Sequence, residues 1–101
     1  MLVLETVTHE DFAACLEQSF TIDDEAAGSV EVELIKVELR GAFDPDTQSR
    51  PPFSIVFLGK SEPLLPQGIY RMRHPRLGAM ELFVVPVGVD AKGVRYEAVF
   101  A

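Results

Sequence analysis

Between Val30 and Arg40 the chain alternates apolar and polar residues, but the alternation changes phase halfway. Val30, Val32 and Leu34 alternate with Glu31 and Glu33; then Ile35, Val37 and Leu39 alternate with Lys36, Glu38 and Arg40. Successive side chains on a strand point to opposite faces, so a one-residue slip sends one apolar row to the wrong side unless the chain bulges. The pattern predicts one long strand with a bend at Leu34-Ile35. Such bends let a strand serve two sides of a barrel or pass between sheets.

The second half of the chain reads as three short strands. Ile69–His74, Met80–Val87 and Val94–Phe100 are joined by Pro75-Arg76-Leu77-Gly78 and by Asp90-Ala91-Lys92-Gly93. Proline presets φ for the second position of a turn, Asp accepts bonds from the backbone ahead of it, and Gly supplies positive φ. Turns this short require antiparallel neighbours. Tyr70, Met72, Met80, Leu82, Val84, Val94, Tyr96, Ala98 and Phe100 then form an inner face, and Arg71, Arg73, Glu81, Arg95 and Glu97 an outer one. Phe83, Val85 and Val87 make a second apolar row on that outer side, which calls for cover by the helix, a loop or another subunit. Pro86 cannot donate to a ladder, so it belongs beyond the overlap, at a bulge, or facing an unpaired side.

The first half supplies the remaining elements. Thr8 and Asp11 fit a variant of the capping box, and Phe12, Cys15 and Leu16 share one side at helical spacing. This predicts a helix of two to three turns closing one end of the sheet. Leu2-Val3-Leu4 reads as a docked terminal arm and Glu17–Ile22 as a short strand. Asp23–Ser29 is an acidic loop whose spacing lacks the alternating ligands of an EF-hand. Phe53–Leu58 is a strand with apolar residues on both faces. The expected fold is mainly β: a six-stranded antiparallel barrel-like or two-sheet fold with one short N-terminal helix, as a single domain over residues 1–101.

Composition narrows the partners. The chain of 101 residues carries a net charge of −7, which disfavours nucleic acid, because binding a phosphate backbone needs clustered Lys and Arg. The charge is uneven: residues 1–50 hold twelve acids against three bases, and residues 51–101 four acids against six bases. No apolar run approaches the roughly 20 residues that span a bilayer, and the start lacks a basic region followed by a long apolar core. A single cysteine, Cys15, has no partner for an internal disulfide. These features point to a cytoplasmic protein with no membrane association.

No constellation for catalysis stands out. His9 and His74 are the only histidines, and with Cys15 they do not reproduce a zinc pattern. Structural roles are expected for all three; a Cys15–His74 nucleophile pair is the competing possibility. The glycines stand at turns and form no phosphate loop or dinucleotide fingerprint. No catalytic, cofactor-binding or metal-ligating residue is therefore assigned.

The run Glu62-Pro63-Leu64-Leu65-Pro66-Gln67-Gly68-Ile69-Tyr70-Arg71-Met72-Arg73-His74-Pro75, with Leu82–Gly88 and Tyr96–Phe100, resembles a bacterial family of proteins about one hundred residues long, in the single-domain range. Phe12-Ala13 and Phe53-Ser54 also fit. The family is a domain of unknown function and supplies no catalytic residues. The resemblance implies an assembly or accessory role beside phage tail-collar-like proteins.

The sequence thus leads to a non-enzymatic protein-interaction or assembly module, with a protein partner or a second copy on a surface formed by Phe83, Val85, Val87, Arg71, Arg73 and Arg95. A small-molecule-binding barrel is the alternative, and it requires an interior left open by the side chains.

Overall fold

The computed structural model describes residues 7–48 and 50–100; the Leu2-Val3-Leu4 arm lies outside them. Helix α1 (His9–Ala13) precedes strands β1 (Ser19–Asp24), β2 (Gly28–Leu39), β3 (Phe53–Gly59), β4 (Gly68–His74), β5 (Gly78–Asp90) and β6 (Gly93–Phe100). The six strands close into a barrel in the order β1-β2-β3-β6-β5-β4, and every neighbouring pair is antiparallel. The fold is mainly β, and closure selects the barrel over two separate sheets. Two three-stranded meanders build it. The β3–β4 connection crosses one end so that β4 lies beside β1, which is a Greek-key arrangement.

The phase slip in β2 is a bulge. Leu34 stands opposite Phe57 and Lys36 opposite Val56, so Ile35 is the extra residue. Val32, Leu34 and Val37 therefore face the same interior, which is how an interrupted alternation is reconciled with one core. Pro86 finds its place by the same device. Pro86 is opposite Tyr96 and Gly88 opposite Arg95, leaving Val87 unpaired in a second bulge. Beyond Val84, β5 has β6 alone as its ladder partner, so a residue without an N–H is tolerated there.

The interior is filled. Phe12, Phe20, Phe53, Phe57, Tyr96, Leu34, Ile55, Met72 and Met80 are at most 1% exposed. Phe12 closes the end of the barrel against Phe20, Phe53 and Phe100, with ring centroids 5.4–6.4 Å away. This aromatic plug contributes to cohesion, because each such ring removes about 150–250 Å² from water.

Three local expectations are corrected. The helix is one short turn of five residues rather than two to three turns. After it, Glu17 adopts φ 66°, its N–H donates to Leu34 O (2.8 Å), and the Leu34 N–H donates to Gln18 O (3.1 Å). Pairing with β2 captures the backbone before the helix can continue. Leu16 consequently leaves the apolar stripe and is 39% exposed, while Phe12 and Cys15 are buried. The strand begins at Ser19, not Glu17, and runs on to Asp24. The acidic loop shrinks to a hairpin turn, because Asp24 Oδ2 accepts the N–H groups of Ala26 (3.1 Å) and Ala27 (2.8 Å).

Candidate functional site

The β4–β5 turn fixes which outer side chains meet. His74 pairs with Gly78, so Ile69 must pair with Phe83 and Arg71 with Glu81. Across β6, Val85 pairs with Glu97. Val99, two residues on from Glu97, also points outward on β6. Ile69, Phe83 and Val99 are 69%, 53% and 57% exposed, and Val85 is half-buried. Ile69, Phe83 and Val85 form a band on the outer wall of β4 and β5, with Arg71 and Glu81 at one end and Glu97 at the other, while Val99 lies past the last β5–β6 pair, opposite Ser54 of β3.

The expected interaction residues are only partly gathered by this geometry. Phe83, Val85 and Arg71 belong to the band. Val87 is exposed but displaced by its own bulge. Arg95 reaches along the β5–β6 hairpin to Asp90, with which it forms an ion pair. Arg73 is opposite Ala79 and grips Asp23 with two bonds, Nε to Oδ2 at 2.8 Å and Nη2 to Oδ1 at 2.9 Å. The Arg73 guanidinium is the main reason the Asp23 carboxyl is held below the usual carboxylate range. Ile69 and Val99 are additions to the expected set. Period-two parity places both on the outer face, and the turn register supplies their neighbours.

The three residues considered for chemistry are each engaged structurally. His74 Nδ1 accepts the N–H groups of Arg76 (3.1 Å) and Leu77 (3.3 Å), and Nε2 lies 2.7 Å from Gln18 Oε1. Both ring nitrogens are thereby occupied, and the ring lies 4.5 Å from that of Phe20. Burial, aided by the Arg76 charge, lowers the His74 pKa. Cys15 is fully buried and its thiol reaches Asp11 O at 3.7 Å; burial is the main cause pushing the thiol up. His9 stands edge-on to Phe53, and its buried Nδ1 has no hydrogen-bond partner among the described residues. Neither ring nitrogen of His74 is free to accept a proton from Cys15.

No group of three or more His, Cys, Asp or Glu among the described residues is arranged to hold a metal ion. A groove of about 620 Å³ lies outside the barrel between the β1–β2 hairpin and the β3–β4 connection, lined by residues such as Thr21, Glu31, Lys60 and Glu62. The barrel centre holds side chains where a ligand chamber would have to be.

A family described as "Domain of unknown function (DUF6916)" matches residues 7–100. No curated protein and no solved structure matches the chain.

Proposed function

The chain belongs to the DUF6916 family, and from its surface we propose a non-enzymatic protein-interaction or assembly module that docks through the outer wall of β4, β5 and β6. The observation that carries this reading is the cross-strand pair of Ile69 and Phe83, with Val99 of β6 also outward, each more than half exposed on a wall that also carries charged residues. Isolated surface apolar residues need no explanation, whereas adjoining ones on paired strands with a polar rim are the composition of a contact surface. Closure pairs the strands around the barrel, and the stretch of β5 past Val84 that has β6 alone beside it carries Pro86, so side chains rather than strand addition carry the contact. An assembly role beside phage-tail components is one form of this reading.

The test compares the full chain with Phe83→Asp and Ile69→Asp variants that keep the wild-type melting temperature. Quantitative capture from the native host, together with measurement of self-association, is expected to show an interaction lost in both variants. An interaction that persists unchanged in both, or no interaction of either kind, would overturn the proposal.

A further inference from the structure

We propose that the occupant of this wall is a second copy of the same chain, related by a two-fold axis that passes through Phe83; this inference rests on the docking role proposed above. The strand register places the charges for it. Arg71 is opposite Glu81, two residues before Phe83, and Glu97 is opposite Val85, two residues after it. Arg71 lies on β4 and Glu97 on β6, the two strands flanking β5. With about 6.7 Å for two residues and about 4.8 Å between strands, each charge stands roughly 8 Å from Phe83, in diagonally opposite directions on one face.

An isologous contact requires a patch complementary to itself. A two-fold axis lying in the wall, at right angles to the Arg71–Glu97 diagonal, supplies that complementarity. It sets Phe83 against Phe83 of the second copy, Arg71 against its Glu97, Glu97 against its Arg71, and Ile69 beside its Val85. Both charges are only loosely held within the chain. Arg71 is 3.9 Å from an Asp23 already gripped by Arg73, and Glu97 is 3.9 Å from Arg40. The Arg71 side chain is 51% exposed and that of Glu97 31%. The apolar centre is small beside the roughly 800 Å² per partner of a permanent complex, so the dimer is a weak, reversible one.

Sedimentation velocity of the full chain from about 1 µM to about 0.5 mM tests the inference by mass action. A reversible monomer–dimer equilibrium is expected. Arg71→Glu and Glu97→Arg should each weaken it by about tenfold or more, because either change breaks both symmetric ion pairs at once. Combining R71E with E97R rebuilds the pairs with reversed sign and should recover most of the loss, which a merely structural role for either residue would not produce. Thermal unfolding of each variant separates misfolding from lost contact. A monomer throughout the range, or a dimer indifferent to Phe83→Asp and to the charge swap, would overturn the inference. The docking reading would survive the first of these results only if a different partner were still lost on Phe83→Asp.

Discussion

The rings of Phe53 and Phe100 lie face to face, 4.5 Å between centroids and 6° from parallel, joining the start of β3 to the end of β6. The Arg50 guanidinium sits 5.5 Å from both centroids and donates to the backbone carbonyl of Val7. The cation therefore ties the long β2–β3 loop and the segment before α1 to the aromatic plug. Arg50→Met keeps the aliphatic stem but loses the charge, and should cost about 1–2 kcal/mol. Phe100→Ala should cost about 3 kcal/mol or more, since it opens a cavity beside Phe12. Urea unfolding of the two variants should reproduce this order; an Arg50→Met effect as large as that of Phe100→Ala would show that the loop anchor has been undervalued.

Two glycines on the β5–β6 hairpin should respond oppositely to alanine. Gly93 holds φ +137°, and a Cβ there would lie 2.0 Å from Gly59 O. Backbone cannot yield that distance cheaply, so Gly93→Ala should lose several kcal/mol or fail to fold. Gly88 stands after the Val87 bulge, and a Cβ added there would meet nothing within 4 Å, so Gly88→Ala should stay within about 0.5 kcal/mol. Thermal melts of the pair decide it: similar losses would mean that the close approach of Gly59 and Gly93 is relieved by a backbone shift.

Much of this architecture was legible because its signals are local and physical. The slip at Leu34-Ile35 could be satisfied only by an extra residue, and Pro75–Gly78 fixed the β4–β5 register, hence the Ile69–Phe83 pair. Pro86 announced an irregularity, and the register change around Val87 is that irregularity. The proposed interaction surface was half legible. Parity put Arg71, Phe83 and Val85 on the outer face, but the bulge that displaces Val87 depends on β6. The Asp23–Arg73 grip depends on β4 meeting β1 across 50 residues of chain. The short helix escaped for a related reason: its apolar spacing continues to Leu16, and only the bonds to Leu34, contributed by β2, stop it.

Cys15 should behave as a core residue in solution. It is fully buried, and burial outweighs the opposing effect of the Arg76 charge in raising the thiol pKa. Thiolate is the reactive form, so alkylation at neutral pH must await opening of the α1 segment. Modification of the native protein should be at least about a hundredfold slower than in urea, and should accelerate with destabilising changes such as Phe100→Ala. Fast labelling of the native chain would indicate that α1 leaves the barrel end readily.

The His74 clasp predicts a specific loss of stability in mild acid. Its Nδ1 accepts two backbone N–H groups from the β4–β5 turn, and its Nε2–H donates to Gln18, so the neutral ring holds that turn to the segment entering β1. Burial and the Arg76 charge lower the folded-state pKa, whereas in the unfolded chain the ring titrates near about 6.5. Above that value the ring is neutral in both states and its contribution is complete. As pH falls below it, the unfolded chain takes up the proton first, so stability declines until the folded ring is protonated too. Asp23 and Asp90, held low chiefly by the Arg73 side chain and by the Lys92 N–H respectively, lose their contributions only in the more acidic range below about 4. Urea midpoints between pH 8 and pH 2 should therefore fall in two stages for the wild type. His74→Gln should remove the first stage and leave the second, at the expense of lower stability at neutral pH. An unchanged first stage in this variant would assign it to another group and sink the account of His74 as a neutral clasp.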